Sequence, residues 1–142
     1  MTDQVKHLLL VEDEAPLRQA IAEQLTKLSA ASKAYEDELA ALWKGGSPPA
    51  PEKLIKLNES LEHAEHTLLA PGGLPRREWY RHEIYAPGLY TGYGVKTVPG
   101  VREAIEQAQY PEADREIARA AQALDRLSAL LDAASSDLEA LR

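Results

Sequence analysis

Three histidines stand where side-chain chemistry is conceivable. His63 and His66 form His-x-x-His in a helical stretch. Positions i and i+3 share one helical face, so both rings could reach one metal ion. The chain has no Cys and no further ligand pair follows, so the two read as a surface or partly packed pair and no metal is assigned. His82 lies between Arg81 and Glu83. A histidine beside a carboxylate has the makings of a general base. No serine or cysteine nucleophile stands in a recognisable motif around it, so a structural hydrogen-bonding role is expected. Gly88, Gly92, Gly94 and Gly100 match neither Gly-x-Gly-x-x-Gly nor the phosphate loop, because Lys96-Thr97 lacks its preceding glycine. They read as positions for positive φ in an irregular loop. Arg76, Arg77 and Arg81 could grip a carboxylate of a ligand or partner with forked hydrogen bonds, or pair with the acidic helices. No catalytic residue and no cofactor is assigned, and the chain is not expected to be an enzyme.

Most of these residues fall in Leu74–Gly100, which also holds Trp79, Tyr80, Tyr85, Tyr90 and Tyr93. The segment is too aromatic to look disordered. Loops longer than about 12–15 residues are usually functional or disordered. Tyr, Trp and Arg are enriched at the energetic centres of interfaces. The aromatic side chains read equally as a binding surface and as filler between helices too rich in alanine to meet unaided.

The flanking elements are helical. Glu12, Asp13, Glu14 and Pro16 suit a helix start. Leu17, Ile21, Leu25, Leu28, Tyr35, Leu39 and Leu42 then form one amphipathic stripe, ending near Lys44 before Gly45-Gly46-Ser47-Pro48-Pro49. A second helix is predicted from Pro51 to just before Pro71, on Leu54, Leu57, Leu61, Ala64 and Leu68. Ile84, Tyr85 and Ala86 suit a short extended piece. Pro99-Gly100 opens a short helix over 101–109. Pro111 starts a last helix with Ile117, Ala121, Leu124, Leu127, Leu131, Ala134, Leu138 and Leu141 on its apolar face. The fold class is therefore all-α: three long helices, one short helix and one long ordered loop rich in Tyr, Gly and Pro. Residues 1–13 form a leader, a short strand or helix extension, and residues 14–142 a single domain.

Bulk properties narrow the classes. The net charge is −7 and the pI about 5.1, which argues against a nucleic-acid footprint. The lack of Cys excludes disulfides and thiol catalysis. No segment reaches the roughly 20 apolar residues that span a bilayer. The run Leu8–Val11 is too short for a signal peptide. The chain is thus expected to be soluble, with no nucleic-acid or membrane partner and no compartment assigned. With no Phe and one Met, the core is light, and a partner chain is expected to complete it.

Two resemblances follow from particular residues. Leu74-Pro75, Trp79-Tyr80-Arg81-His82, Ile84-Tyr85-Ala86-Pro87 and then Pro99-Gly100 before a helix resemble the transferrin-receptor-like dimerisation domain. This is the helical C-terminal domain of transferrin receptors and of glutamate carboxypeptidase-type zinc peptidases. The likeness covers about Leu54 to Leu131, and the first helix fits it more weakly. It implies homodimerisation and, in the parent family, a separate catalytic domain that carries the zinc ligands. It also implies that the loop after Tyr85-Ala86-Pro87 leans over that domain's active site. Tyr93 matches the tyrosine of the substrate loop, and Gly92 stands where glutamate-specific members have lysine. A second, smaller likeness runs from His7 to Arg18. His7-Leu8-Leu9-Leu10-Val11-Glu12-Asp13-Glu14, followed by Leu17-Arg18, looks like the first strand and helix start of a response-regulator receiver. There Glu12 and Asp13 would help to hold magnesium. The receiver's later aspartate, threonine and lysine strands are missing. Two partial likenesses suggest a chimera, or an excised domain with a redesigned start.

The expectation is a non-catalytic homodimerisation module. Leu124, Leu127 and Leu131 are the first candidates for its interface, with Leu17, Ile21 and Leu28 as second choice. The alternative is an accessory domain that lends the Tyr93 loop to a separate peptidase domain for substrate recognition.

Overall fold

The computed structural model describes residues 15–46 and 49–141, with side chains from residue 19 onward. The 1–13 leader and the receiver-like stretch up to Glu14 lie outside the described residues. Four helices and a two-stranded antiparallel sheet follow: α1 (Ala15–Lys44), α2 (Pro51–Glu62), β1 (Tyr85–Pro87), β2 (Val95–Thr97), α3 (Pro99–Glu106) and α4 (Tyr110–Glu139). None of these helices is long and apolar enough to cross a membrane.

The two 30-residue helices, α1 and α4, carry the architecture. Each is about 45 Å long at 1.5 Å per residue. They run in the same direction, because Lys27 pairs with Asp125 while Leu42 shares a core cluster with Leu138. Many of their buried side chains are small: Ala31 on α1 and Ala113, Ala120, Ala123 and Ala134 on α4, beside the larger Leu42, Ile117, Leu124 and Leu138. Each buried alanine contributes little apolar area. One cluster of larger apolar groups lies toward the C-terminal ends. Leu42, Leu57, Ala134 and Leu138 form a cluster flanked by Tyr35, Leu39, Leu54, Leu61 and Leu141.

The second helix is shorter than its leucine spacing predicts. α2 ends at Glu62, and a separate 3₁₀ turn, Ala64–Leu68, continues in its place. His63 breaks the ladder at φ −94° and ψ 4°, and its Nδ1 lies 2.7 Å from the Glu59 carbonyl. The tighter winding delivers Leu68 into the core. The return path then descends α4 through Lys56–Asp137, Arg126 to the Thr67 carbonyl, and Arg119 to the Gly73 carbonyl. The Leu74–Gly100 segment is a series of tight turns leading into the small sheet, so the fold is mostly helical rather than wholly so. The extended piece expected at Ile84–Ala86 is present as β1, shifted by one residue.

Two glycines are dictated by close approach. Gly73 sits at φ +68°, and a Cβ there would stand 2.2 Å from the Glu78 carbonyl oxygen. A Cβ on Gly100 would stand 2.5 Å from Glu116 Oε2. The Pro99-Gly100 pair therefore both opens α3 and makes room for a buried carboxylate of α4.

Leu138 is fully buried, whereas Leu25 on α1 is 51% exposed. Urea unfolding of Leu138→Ala is expected to lose about 2–5 kcal/mol. Leu25→Ala is expected to stay within about 0.5 kcal/mol of the parent at concentrations where the chain is monomeric.

Candidate functional site

The aromatic segment is presented by the small hairpin and held from beneath by charge. Tyr85 faces Thr97, Ala86 faces Lys96 and Pro87 faces Val95. Val98 N–H donates to the Ile84 carbonyl at 2.7 Å, and Gly88 N–H to the Gly94 carbonyl at 2.8 Å. These bonds bracket Ala86 and Lys96 as the hydrogen-bonded pair and leave Pro87 at a non-hydrogen-bonded position. Pro87, which has no N–H, therefore costs no ladder bond. Ala86 and Lys96 point inward, while Tyr85, Val95 and Thr97 point to solvent. Val98 closes the hairpin in the left-handed region at φ 44°. That conformation is costly for a β-branched residue and turns the chain into α3.

Below the hairpin lies a buried ion pair. Arg77 and Glu103 are each 2% exposed, and Arg77 Nη2 donates to Glu103 Oε2 at 2.6 Å. Arg77 Nη1 donates to the Pro87 carbonyl at the end of β1. Glu103 Oε1 accepts the Leu89 N–H at 2.7 Å. One guanidinium and one carboxylate thus tie the turns, β1, the loop between the strands and α3 together. The Arg77 guanidinium also stands 5.7 Å from the centre of the Tyr80 ring. Lys96 reaches Glu106 on α3, and this pairing holds the Glu106 carboxyl below its ordinary range. Above the base, Tyr90 is 76% exposed and Tyr93 wholly so. With Trp79, Tyr80, Tyr85 and Val95 they give this one segment a solvent-facing aromatic surface.

A second node lies around Arg119 on α4. Its Nη1 lies 2.9 Å from Glu116 Oε1, and its Nη2 lies 2.8 Å from Glu83 Oε1 and 2.6 Å from the Gly73 carbonyl. Glu83 is buried. Burial raises its carboxyl above the ordinary value, Arg119 works against this, and Glu116 adds to it.

The three arginines singled out from sequence divide. Arg76 makes a forked pair with Glu112 at 2.8 and 3.1 Å, Arg77 takes Glu103, and Arg81 Nε donates to the Ala70 carbonyl. All three are thus engaged within the chain. Glu103 carries no mark in sequence beyond its place beside Ala104 on the inner face of α3. His63 and His66 rings meet edge-on at 5.1 Å, and His63 lines a groove of about 350 Å³ between α2 and α4. Among the described residues no group of three or more His, Asp or Glu could hold a metal ion. His82 makes structural hydrogen bonds, to Glu65 and to the backbone at Ile84 and Tyr85.

Of the interface candidates, Leu124 is 5% exposed and packs inside the single chain. It lies on the α4 face turned inward with Ala120, Ala123 and Ser128. Leu127, Leu131, Ile21 and Leu28 are half-buried, and the Leu17 side chain lies outside the described set. Tyr93 stands alone at the hairpin tip, 104% exposed, with Gly92 beside it at φ +64°.

Removing one member of the buried pair strands its partner. Glu103→Gln is expected to lose about 3–5 kcal/mol in urea unfolding, and Arg77→Met with Glu103→Leu to recover most of it. Glu83 has the opposite pH signature from a salt-bridged surface carboxylate. Its raised native pKa makes the folded chain bind a proton where the unfolded chain does not, so the parent gains stability as pH falls toward 4.5. Relative to Glu83→Gln, the parent should therefore become progressively more stable between neutrality and that pH in parallel urea titrations.

Comparison with known proteins matches residues 13–132 to the family described as transferrin receptor-like dimerisation domain. The match begins at residue 13, within the receiver-like stretch. A probable glutamate carboxypeptidase of Arabidopsis thaliana is 46% identical over 57 residues, covering 40% of this chain and 8% of the relative. One of Arthroderma benhamiae is 48% identical over 56 residues, covering 39% and 8%. A protein of Schizosaccharomyces pombe named as an inactive zinc metalloprotease is 36% identical over 69 residues, covering 49% and 9%. The chain therefore spans under a tenth of the length of these curated relatives.

Proposed function

Because this chain belongs to the transferrin receptor-like dimerisation domain family, we propose that it is a non-catalytic homodimerisation module of a glutamate carboxypeptidase-type zinc peptidase. Its partners are a second copy of itself and, in the parent protein, a catalytic domain. The observation that carries self-association is the state of the two long helices. Much of what α1 and α4 bury is alanine, while Ile21, Leu28, Leu127 and Leu131 remain half-buried and Leu25 half exposed. Covering these side chains on a second copy buries apolar area that one chain leaves wet. A twofold arrangement uses the same patch on both chains. Leu124 supports that surface from beneath. Leu17, four residues before Ile21 in the sequence, stays a second-choice candidate.

The hairpin favours a second reading, as an accessory to substrate recognition. Tyr93 is fully exposed at a tip whose base is fixed by a buried ion pair. A tyrosine held out in this way suits contact with a substrate seated in a neighbouring domain. Gly92, in place of lysine, removes the cation that would favour a glutamate side chain. Titration of acidic dipeptides into the isolated chain, followed by the Tyr93 ring resonances, tests it. Saturable shifts support the reading, and unchanged resonances remove it for the isolated chain.

For the principal reading, sedimentation velocity at tens of micromolar is expected to give a dimer. Leu127→Asp with Leu131→Asp should weaken association by about tenfold or more. A folded monomer throughout the range would overturn it.

A further inference from the structure

His82 occupies a position at which protonation and the hairpin are incompatible. Its Nδ1 lies 3.2 Å from the backbone nitrogen of Ile84 and 3.2 Å from that of Tyr85. Both are N–H donors, so Nδ1 is the acceptor and carries no proton. The neutral ring therefore holds its proton on Nε2, which donates to Glu65 Oε2 at 3.0 Å. The ring stacks against Tyr85 with 3.8 Å between centroids.

Location gives this geometry its consequence. Tyr85 begins β1 and faces Thr97 at a non-hydrogen-bonded position, so its N–H points away from β2. The His82 ring satisfies that free edge. The backbone beside it is pinned to the 3₁₀ turn and its exit, with Glu83 N–H donating to the Leu68 carbonyl and Ala70 N–H to the Arg81 carbonyl. His82 is thus the link between a fixed backbone and the first strand of the hairpin.

We propose that His82 is an acid-sensitive latch: protonation at Nδ1 turns the acceptor into a donor facing two donors and releases β1, loosening the hairpin that carries Tyr90 and Tyr93. The groups around it set the balance. Glu65, on the 3₁₀ turn, accepts the Nε2 proton and is itself 68% exposed. Neighbouring charges are directed elsewhere. Arg81 goes to the Ala70 carbonyl, Glu83 to Arg119, and Arg126 to the Thr67 carbonyl. Tyr85 offers only its ring face. Histidine is the side chain whose unperturbed charge change falls nearest physiological pH, which makes acid the trigger to test. It holds whatever the hairpin touches, and does not depend on the dimer or the substrate reading.

The test uses the full chain, labelled with ¹⁵N. Long-range ¹H–¹⁵N spectra of the His82 ring report its tautomer directly. The neutral ring is expected as the Nε2–H form. As His82 titrates, protection of the Ile84 and Tyr85 amides, corrected for intrinsic exchange, should fall about tenfold or more, with cross-strand contacts between Ala86 and Lys96 weakening at the same midpoint. His82→Asn keeps an acceptor that does not titrate there. It should hold the hairpin and abolish the pH response, while His63→Asn and His66→Asn leave the response intact. A neutral Nδ1–H form in the parent, or hairpin resonances indifferent to the His82 titration, would overturn the latch without any variant having to fold.

Discussion

The Arg77–Glu103 pair is the constraint on which the rest of this structure depends. Two charges removed from water cost several kcal/mol each, and their attraction repays this only with good geometry and further hydrogen bonds. Here the further bonds go to the Pro87 carbonyl and the Leu89 N–H, the two ends of the loop entry. Arg77 Nε finds no partner, so the satisfaction is incomplete. The pair is therefore weak evidence for stability and better evidence for position. It fixes where a short, otherwise thinly supported hairpin leaves the helical body.

The helical body explains why such a device is needed. Much of what α1 and α4 bury is alanine, and a cluster of larger apolar groups lies at their C-terminal ends. The strands of the hairpin lie elsewhere, against α3 rather than α4, where Ala104 offers little to grip. Charge takes over there. Arg77 with Glu103, Lys96 with Glu106, Arg76 with Glu112 and Arg119 with Glu83 and Glu116 join the turns to these helices. Built this way, the segment keeps Trp79, Tyr85, Tyr90 and Tyr93 at the surface.

Much of this was legible in the residues. The first helix ending at Lys44, the proline-led starts of the helices and a short extended piece, expected at Ile84–Ala86 and found one residue later, follow from local rules of period and φ. The family likeness rests on residues that now have physical reasons. Gly100 is small because Glu116 lies over it, and Pro87 occupies a position that needs no N–H. Other features were not legible. The break at His63 comes from a side chain competing for the Glu59 carbonyl, within a leucine spacing that continues unbroken. The partner of Arg77 lies 26 residues away, and no local pattern marks Glu103. Leu124 reads as one of three equivalent apolar positions on α4, and only packing against the neighbouring elements separates it from Leu127 and Leu131.

Native-state hydrogen exchange at Leu89 tests the central claim most directly. Leu89 sits in a loop between exposed tyrosines, and its amide is held only by the buried Glu103 carboxylate. If the ion pair positions the hairpin, that amide exchanges as slowly as core amides of α4 such as Ala123, while those of Tyr90 and Tyr93 exchange freely. Exchange at Leu89 as fast as at Tyr93 would contradict the account.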